Sequence, residues 1–121
     1  MPELPEVETL RGDLHREVVA KKIKTVTVDN GRWVGHHKTA KAYRDLLEGR
    51  TIKTVERLGN LLMFTLDSGN TLVLDLGASG QLQRAKTAKV AKAKHTHIVF
   101  TLNQGGELRF VSPGNDGGSY V

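Results

Sequence analysis

Residues 51–76, TIKTVERLGNLLMFTLDSGNTLVLDL, decide how the fold is read. IKTVERL (52–58) is β-branched and runs into Gly59. LLMFTL (61–66) is an unbroken apolar run, and Asp67-Ser68-Gly69-Asn70 supplies turn chemistry after it. TLVLDL (71–76) alternates, with Leu72, Leu74 and Leu76 on one side and Val73 and Asp75 on the other. Short apolar segments divided by turn residues predict successive antiparallel strands. The continuous LLMFTL predicts a strand buried on both faces.

The pattern extends in both directions. HIVFTL (97–102), the turn NQGG and ELRFV (107–111) predict a further hairpin. The tail SPGNDGGSYV (112–121) is rich in Gly, Ser and Pro and predicts a loop. Upstream, KIKTVTVD (22–29) predicts a strand that ends at the turn Asn30-Gly31. Two helices flank these strands. Val7, Leu10, Leu14 and Val18 fall on one face of the first. Pro5 sits near its first turn, Glu6 and Glu8 suit the positive end of its dipole, and Lys21 and Lys22 follow the other end. The second spans Thr39 to Glu48, with Thr39 as cap, Ala40, Tyr43 and Leu47 on one face, and Gly49 as the stop. The expected fold is mainly β: one domain over residues 1–121, an antiparallel β-sandwich with two flanking α-helices.

Eighteen Lys and Arg against thirteen Asp and Glu give a formal charge of +5, which suits a polyanionic partner such as nucleic acid. The chain has no cysteine, which excludes disulfides, thiolate zinc sites and a cysteine nucleophile. No apolar run is long enough to span a membrane, and the acidic start lacks the basic and apolar regions of a secretory signal. These features lead us to expect a cytoplasmic protein without a membrane partner.

The opening MPELPEVETL carries the chemistry. Met1 is removable because proline follows it, and removal would leave a secondary amine at Pro2. An α-amino group has a pKa of about 7.7–8, so a useful fraction is neutral near pH 7. Such an amine can attack an electrophilic carbon. The iminium that results has no proton to lose from nitrogen and acts as an electron sink. Glu3 adjoins it as acid/base, and Glu6 could hold the pair in place. The same residues also have a plain reading, as a common Met-Pro start with carboxylates favoured by a helix dipole.

MPELPEVETL resembles the start of the formamidopyrimidine-DNA glycosylase and endonuclease VIII family. NGR (30–32), RLGNLLMF (57–64), LDLGASGQL (74–82), KHTHIVF (94–100) and LRFVSPGNDGG (108–118) follow in the family's order. The resemblance covers the whole chain and corresponds to the family's N-terminal domain. It implies a base-excision DNA glycosylase with AP-lyase activity. Pro2 would attack sugar C1′ to form a Schiff base, Glu3 would supply the proton, and the lesion would be everted from the stack. It also implies damaged double-stranded DNA as partner, a monomer, a bacterial and nucleoid-associated setting, and no cofactor within these residues. The family's helix-two-turn-helix and zinc finger would lie beyond residue 121, making that position a boundary within a longer protein. The candidate DNA contacts are His95, Lys94, Asn60, Arg57 and Arg109.

In four places the sequence differs from the family pattern. Asn60 stands where a lysine is usual, and Asp75 and Ala78 replace the His and Met of an HLGMTG-like stretch. Ser112-Pro113-Gly114-Asn115-Asp116-Gly117 stands where the family reads DPRRFG, whose side chains wedge into the duplex. These differences imply altered substrate choice, or a DNA- or damage-binding protein of the same fold with altered or lost catalysis.

Three other features each have a plain and a functional reading. RAKTAKVAKAK (84–94) has five cations and no acid. It reads first as a solvated connection between strands, with a phosphate-contacting loop as the alternative. His36-His37 should diverge, and His95 and His97 would share a strand face, two metal ligands at most. Trp33 reads as packing over the sandwich edge, with base stacking as the alternative.

Overall fold

Eight strands build two four-stranded antiparallel sheets in the computed structural model, which describes residues 16–121 apart from 105 and 115. The strands are β1 (Ile23–Val28), β2 (Ile52–Leu58), β3 (Leu61–Leu66), β4 (Thr71–Asp75), β5 (Gln81–Ala85), β6 (Thr96–Leu102), β7 (Glu107–Val111) and β8 (Gly118–Tyr120). One sheet has the order β1-β6-β7-β5 and the other β2-β3-β4-β8. Residues 16–18 are helical, Gly31–Val34 form a 3-10 turn, and Ala40–Asp45 form the helix α1.

The core lies between the sheets and follows the period of two. Leu62, Phe64 and Leu66 of β3 and Leu72 and Leu74 of β4 are buried with Leu82, Ile98, Phe100, Leu108 and Phe110 of the other sheet. Burying one such side chain contributes about 1.5–3 kcal/mol relative to leaving it in water. Register keeps the apolar sets together: Phe64 lies opposite Leu72, and Phe100 opposite Leu108. A slip by one residue would turn every one of them outward.

The expected antiparallel sandwich is therefore present, three local expectations are corrected, and one strand is added for which there was no expectation. The tail is not all loop: Gly118–Tyr120 pair with β4, with Ser119 opposite Leu74. Buried Ser119 explains the pairing, because its hydroxyl lies 2.8 Å from the Val73 carbonyl and 2.7 Å from the Tyr43 hydroxyl. β5 had no pattern to announce it, since Leu82 is its one large apolar residue; pairing to β7 makes it a strand. LLMFTL alternates rather than being dry on both faces, with Leu61, Met63 and Thr65 only partly covered. In a two-layer sandwich a strand has one core face. The second helix is also shorter than expected. Thr39 caps it as anticipated, its Oγ1 accepting the Ala42 amide at 3.0 Å. After Asp45 the chain tightens through a turn that ends at Gly49 (φ +87°). Leu47 is still fully buried from that turn.

Candidate nucleic-acid interface

Three loops meet at one end of the sandwich: the β2–β3 turn at Gly59-Asn60, the segment 76–80 after β4, and the segment 112–117 between β7 and β8. Asn60 fastens the first to the second. Its carbonyl accepts the Leu76 amide at 3.0 Å, and its Nδ2 donates to the Gly77 carbonyl at 3.2 Å. Asp75 caps the same turn by accepting the Gly77 amide at 2.9 Å. Asp116 then fastens the second loop to the third. Its carboxylate accepts the Ala78 amide and lies 3.3 Å from the Ser79 hydroxyl. The bond from Ala78 holds this carboxyl below the usual carboxylate range. Gly77 leaves the space: its φ is +59°, and a Cβ there would come 2.8 Å from Asp116 Oδ2.

A histidine ties the third loop to the other sheet. His97 Nε2 lies 2.9 Å from the Ser112 carbonyl, and Nδ1 lies 2.8 Å from Asp29 Oδ2. Both neighbours are acceptors, so the protonated ring can donate at both ends. Trp33 stacks on this imidazole at 4.1 Å between centroids and meets Phe110 edge-on at 5.7 Å. Arg32 lies over the indole, with Cζ 4.5 Å from the ring centroid. The Ser112 amide donates to the His95 carbonyl at 3.0 Å, which brings the end of the basic segment to the rim.

Beside this rim a cleft of about 200 Å³ opens among the described residues, lined in part by Arg32, Trp33, His36, Asp75, Ser119 and Tyr120. It holds both charge signs and three rings, which suits a polar, partly planar ligand better than a purely apolar one.

The candidate residues from the sequence fall unevenly on this geometry. Pro2, Glu3 and Glu6 lie outside the described residues. Asn60 is at the rim, on the β2–β3 turn. Arg57 lies on β2, half-buried, opposite Leu62. Lys94 and His95 are exposed just ahead of β6, with His95 at φ +67°. Arg109 is corrected. It is 2% exposed, its Nη2 pairs with Glu107 Oε1 at 2.8 Å, and its Nη1 donates to the Ala91 carbonyl at 3.3 Å. A guanidinium committed in this way does not reach a phosphate. Trp33 packs as expected and is 4% exposed. The adjacent histidines do diverge: His36 meets the Tyr120 ring, whereas His37 Nε2 accepts the Val121 amide at 3.2 Å. Among the described residues no three His, Asp or Glu side chains gather as a metal site would need.

Sequence reasoning missed the His97–Asp29–Ser112 clasp and the place of Arg32. No periodic signal could have found them, because Asp29 and His97 are 68 residues apart. Asn60, Asp75, Ala78 and the 112–117 segment were known as separate differences from a pattern. The structure puts them on one rim.

Fold and rim together define a β-sandwich domain whose polar cleft is built by loops at one end of its sheets. The chain belongs to the formamidopyrimidine-DNA glycosylase family: residues 1–117 match the model of the formamidopyrimidine-DNA glycosylase N-terminal domain. The enzyme of that name from Salinispora arenicola is 40% identical over all of this chain and 42% of its own length. That from Acidothermus cellulolyticus is 42% identical over 98% of this chain and 42% of its own length. The chain thus spans about two fifths of these relatives. Among solved structures, the Lactococcus lactis glycosylase bound to DNA containing an AP site superposes with a TM-score of 0.85 at 28% identity, over 98% of this chain and 44% of that one. MutM in complex with DNA containing carbocyclic 8-oxo-G gives 0.86 at 28% identity, over 98% and 43%.

Proposed function

We propose that the chain is the catalytic N-terminal domain of a DNA glycosylase with AP-lyase activity that acts in base excision repair on damaged duplex DNA. The match that carries this reading runs from residue 1 and so includes the Met-Pro-Glu opening. After removal of Met1, the neutral Pro2 amine attacks sugar C1′ of an everted nucleotide. The new N–C1′ bond replaces the bond to the base, and the nitrogen gives up its proton; the C1′–O4′ bond then breaks, opening the sugar ring as an iminium, with Glu3 giving its proton to the departing base or to the leaving O4′. The iminium left behind draws electrons from C2′, which loses a proton, and the 3′ phosphate departs to nick the strand. Glu6 positions this pair. Lys94, His95, Asn60 and Arg57 are the proposed duplex contacts. The proposed setting is a monomer on the bacterial nucleoid, with the family's further DNA-gripping parts supplied elsewhere in the protein.

Borohydride trapping on DNA carrying an abasic site tests this reading. The complete protein should give a covalent adduct that Pro2→Gly abolishes. No adduct even at low salt would end the lyase reading.

One observation favours a second reading, a damage-binding protein with lost catalysis. The rim puts an uncharged Asn60 where the family pattern has a lysine and Asp116 where it has the phenylalanine of the wedge, and both are engaged in holding loops together. In that case Pro2→Gly leaves DNA affinity unchanged and no adduct forms with either protein.

A further inference from the structure

The connection 86–95 between β5 and β6 is not slack chain. Arg109 reaches it from the outer face of β7 and donates to the Ala91 carbonyl at 3.3 Å, with Glu107 gripping the same guanidinium. The Thr96 hydroxyl donates to the Ala93 carbonyl at 2.6 Å. A turn at its start is closed by the Val90 amide to the Thr87 carbonyl and the Lys89 amide to Thr87 Oγ1, both at 3.3 Å. Placing a buried guanidinium under a surface loop is costly unless it is paired, and here the pair serves to fix the loop.

Lys86, Lys89, Lys92 and Lys94 are all exposed on this fixed segment. Between Asp75 and Glu107 the sequence has no carboxylate, and Glu107 itself is buried against Arg109. Among the described residues none of the four ammonium groups has an ion-pair partner. Four like charges held this close repel one another, and a polyanion relieves the repulsion by releasing its own counterions. The segment runs back along β7 and ends at His95, whose carbonyl is bonded to Ser112 of the rim. A duplex seated at the rim would continue over these lysines.

We propose that the loop 86–93 is a preformed phosphate-contacting strap: Lys86, Lys89 and Lys92 extend the protein's grip along the DNA backbone outside the cleft, and Arg109 is the positioning residue that holds it. The inference rests on the reading of this chain as a DNA-binding domain and adds a second contact region to it.

The test is the salt dependence of duplex binding by the complete protein, wild type against Lys86→Gln/Lys89→Gln/Lys92→Gln, on undamaged DNA and on DNA with an abasic site. Each phosphate contact contributes about −0.9 to the slope of log K against log salt, so the triple variant should lose about 2.7 from the slope on both DNAs. Between 50 and 200 mM salt, wild-type affinity should therefore fall about 40-fold more than that of the variant. The yield of borohydride adduct at saturating abasic DNA should not change. Equal slopes for the two proteins would overturn the strap. A lower slope without any adduct would keep the strap and remove the lyase reading. Failure of the wild type to bind duplex DNA would remove both. Arg109→Lys should lower the slope without removing an exposed charge, and an unchanged slope there would remove the positioning role.

Discussion

Ser119→Ala should destabilise the domain more than its small size suggests. Ser119 is 2% exposed and Tyr43 is fully buried. The Val73 carbonyl can only accept, so the serine hydroxyl donates to it at 2.8 Å, and the Tyr43 hydroxyl donates to serine Oγ at 2.7 Å. Removing the serine oxygen breaks both bonds and strands a phenol in the core. A buried donor left unsatisfied costs about 1–3 kcal/mol. Tyr43→Phe removes the phenol and leaves the serine still bonded to Val73, a loss of about 0.5–1.5 kcal/mol. In the double variant no phenol remains to be stranded. The combined cost should therefore fall short of the sum, by about 1 kcal/mol. At this chain length, about 2 kcal/mol corresponds to a fall of about 8 °C in Tm. Urea unfolding followed by fluorescence of Trp33, the single tryptophan, measures all four corners of the cycle. If Ser119→Ala cost no more than Tyr43→Phe, or the two costs simply added, the chain of hydrogen bonds from Tyr43 through Ser119 to the Val73 carbonyl would be wrong.

Three further outcomes are expected. Burial holds the Tyr43 phenol well above its ordinary value, so its contribution to stability is complete below about pH 10 and declines as pH rises further; wild type should lose stability above pH 10 faster than Tyr43→Phe, and parallel curves would contradict this. The Asp116 carboxyl is held low by the Ala78 amide, so its clamp on the 76–80 loop is present above the ordinary carboxylate pKa of about 4 and is lost as pH falls through its lowered value; Asp116→Ala should speed hydrogen exchange at the Ala78 amide near neutral pH, and an unchanged rate would show that the clamp does not hold. Arg109→Met leaves Glu107 buried without its partner and should cost about 3–5 kcal/mol, whereas adding Glu107→Leu should restore most of it, as chemical denaturation of both variants would reveal.

Much of the fold was legible because strands announce themselves locally. The alternation in TLVLDL and the turn residues after LLMFTL depend on residues next to one another, and β4 and β3 appear where those patterns fall. β5 and β8 were not legible, since QLQRA and GSY have almost no apolar pattern. They are strands because a neighbour offers an unpaired edge. The site divided in the same way. The expectation for Pro2 and Glu3 rests on their adjacency alone and lies outside the described residues, whereas the charge of the 84–94 run is visible in the letters. The inward turn of Arg109 is not, because an arginine on a strand looks the same whether Glu107 and Ala91 enclose it or solvent does.

The amino-acid order alone thus determined most of the strands and the basic excess, both of which are properties of neighbours in the chain. The tertiary structure decided which distant residues meet: Asp116 with Ala78, His97 with Asp29 and Ser112, Tyr43 with Ser119. Those pairs are separated by 15 to 76 residues, with the His97–Ser112 pair at the short end and the Tyr43–Ser119 pair at the long end. Many polar side chains could have served in each, and only the packing of two sheets at a fixed register selects the ones that do.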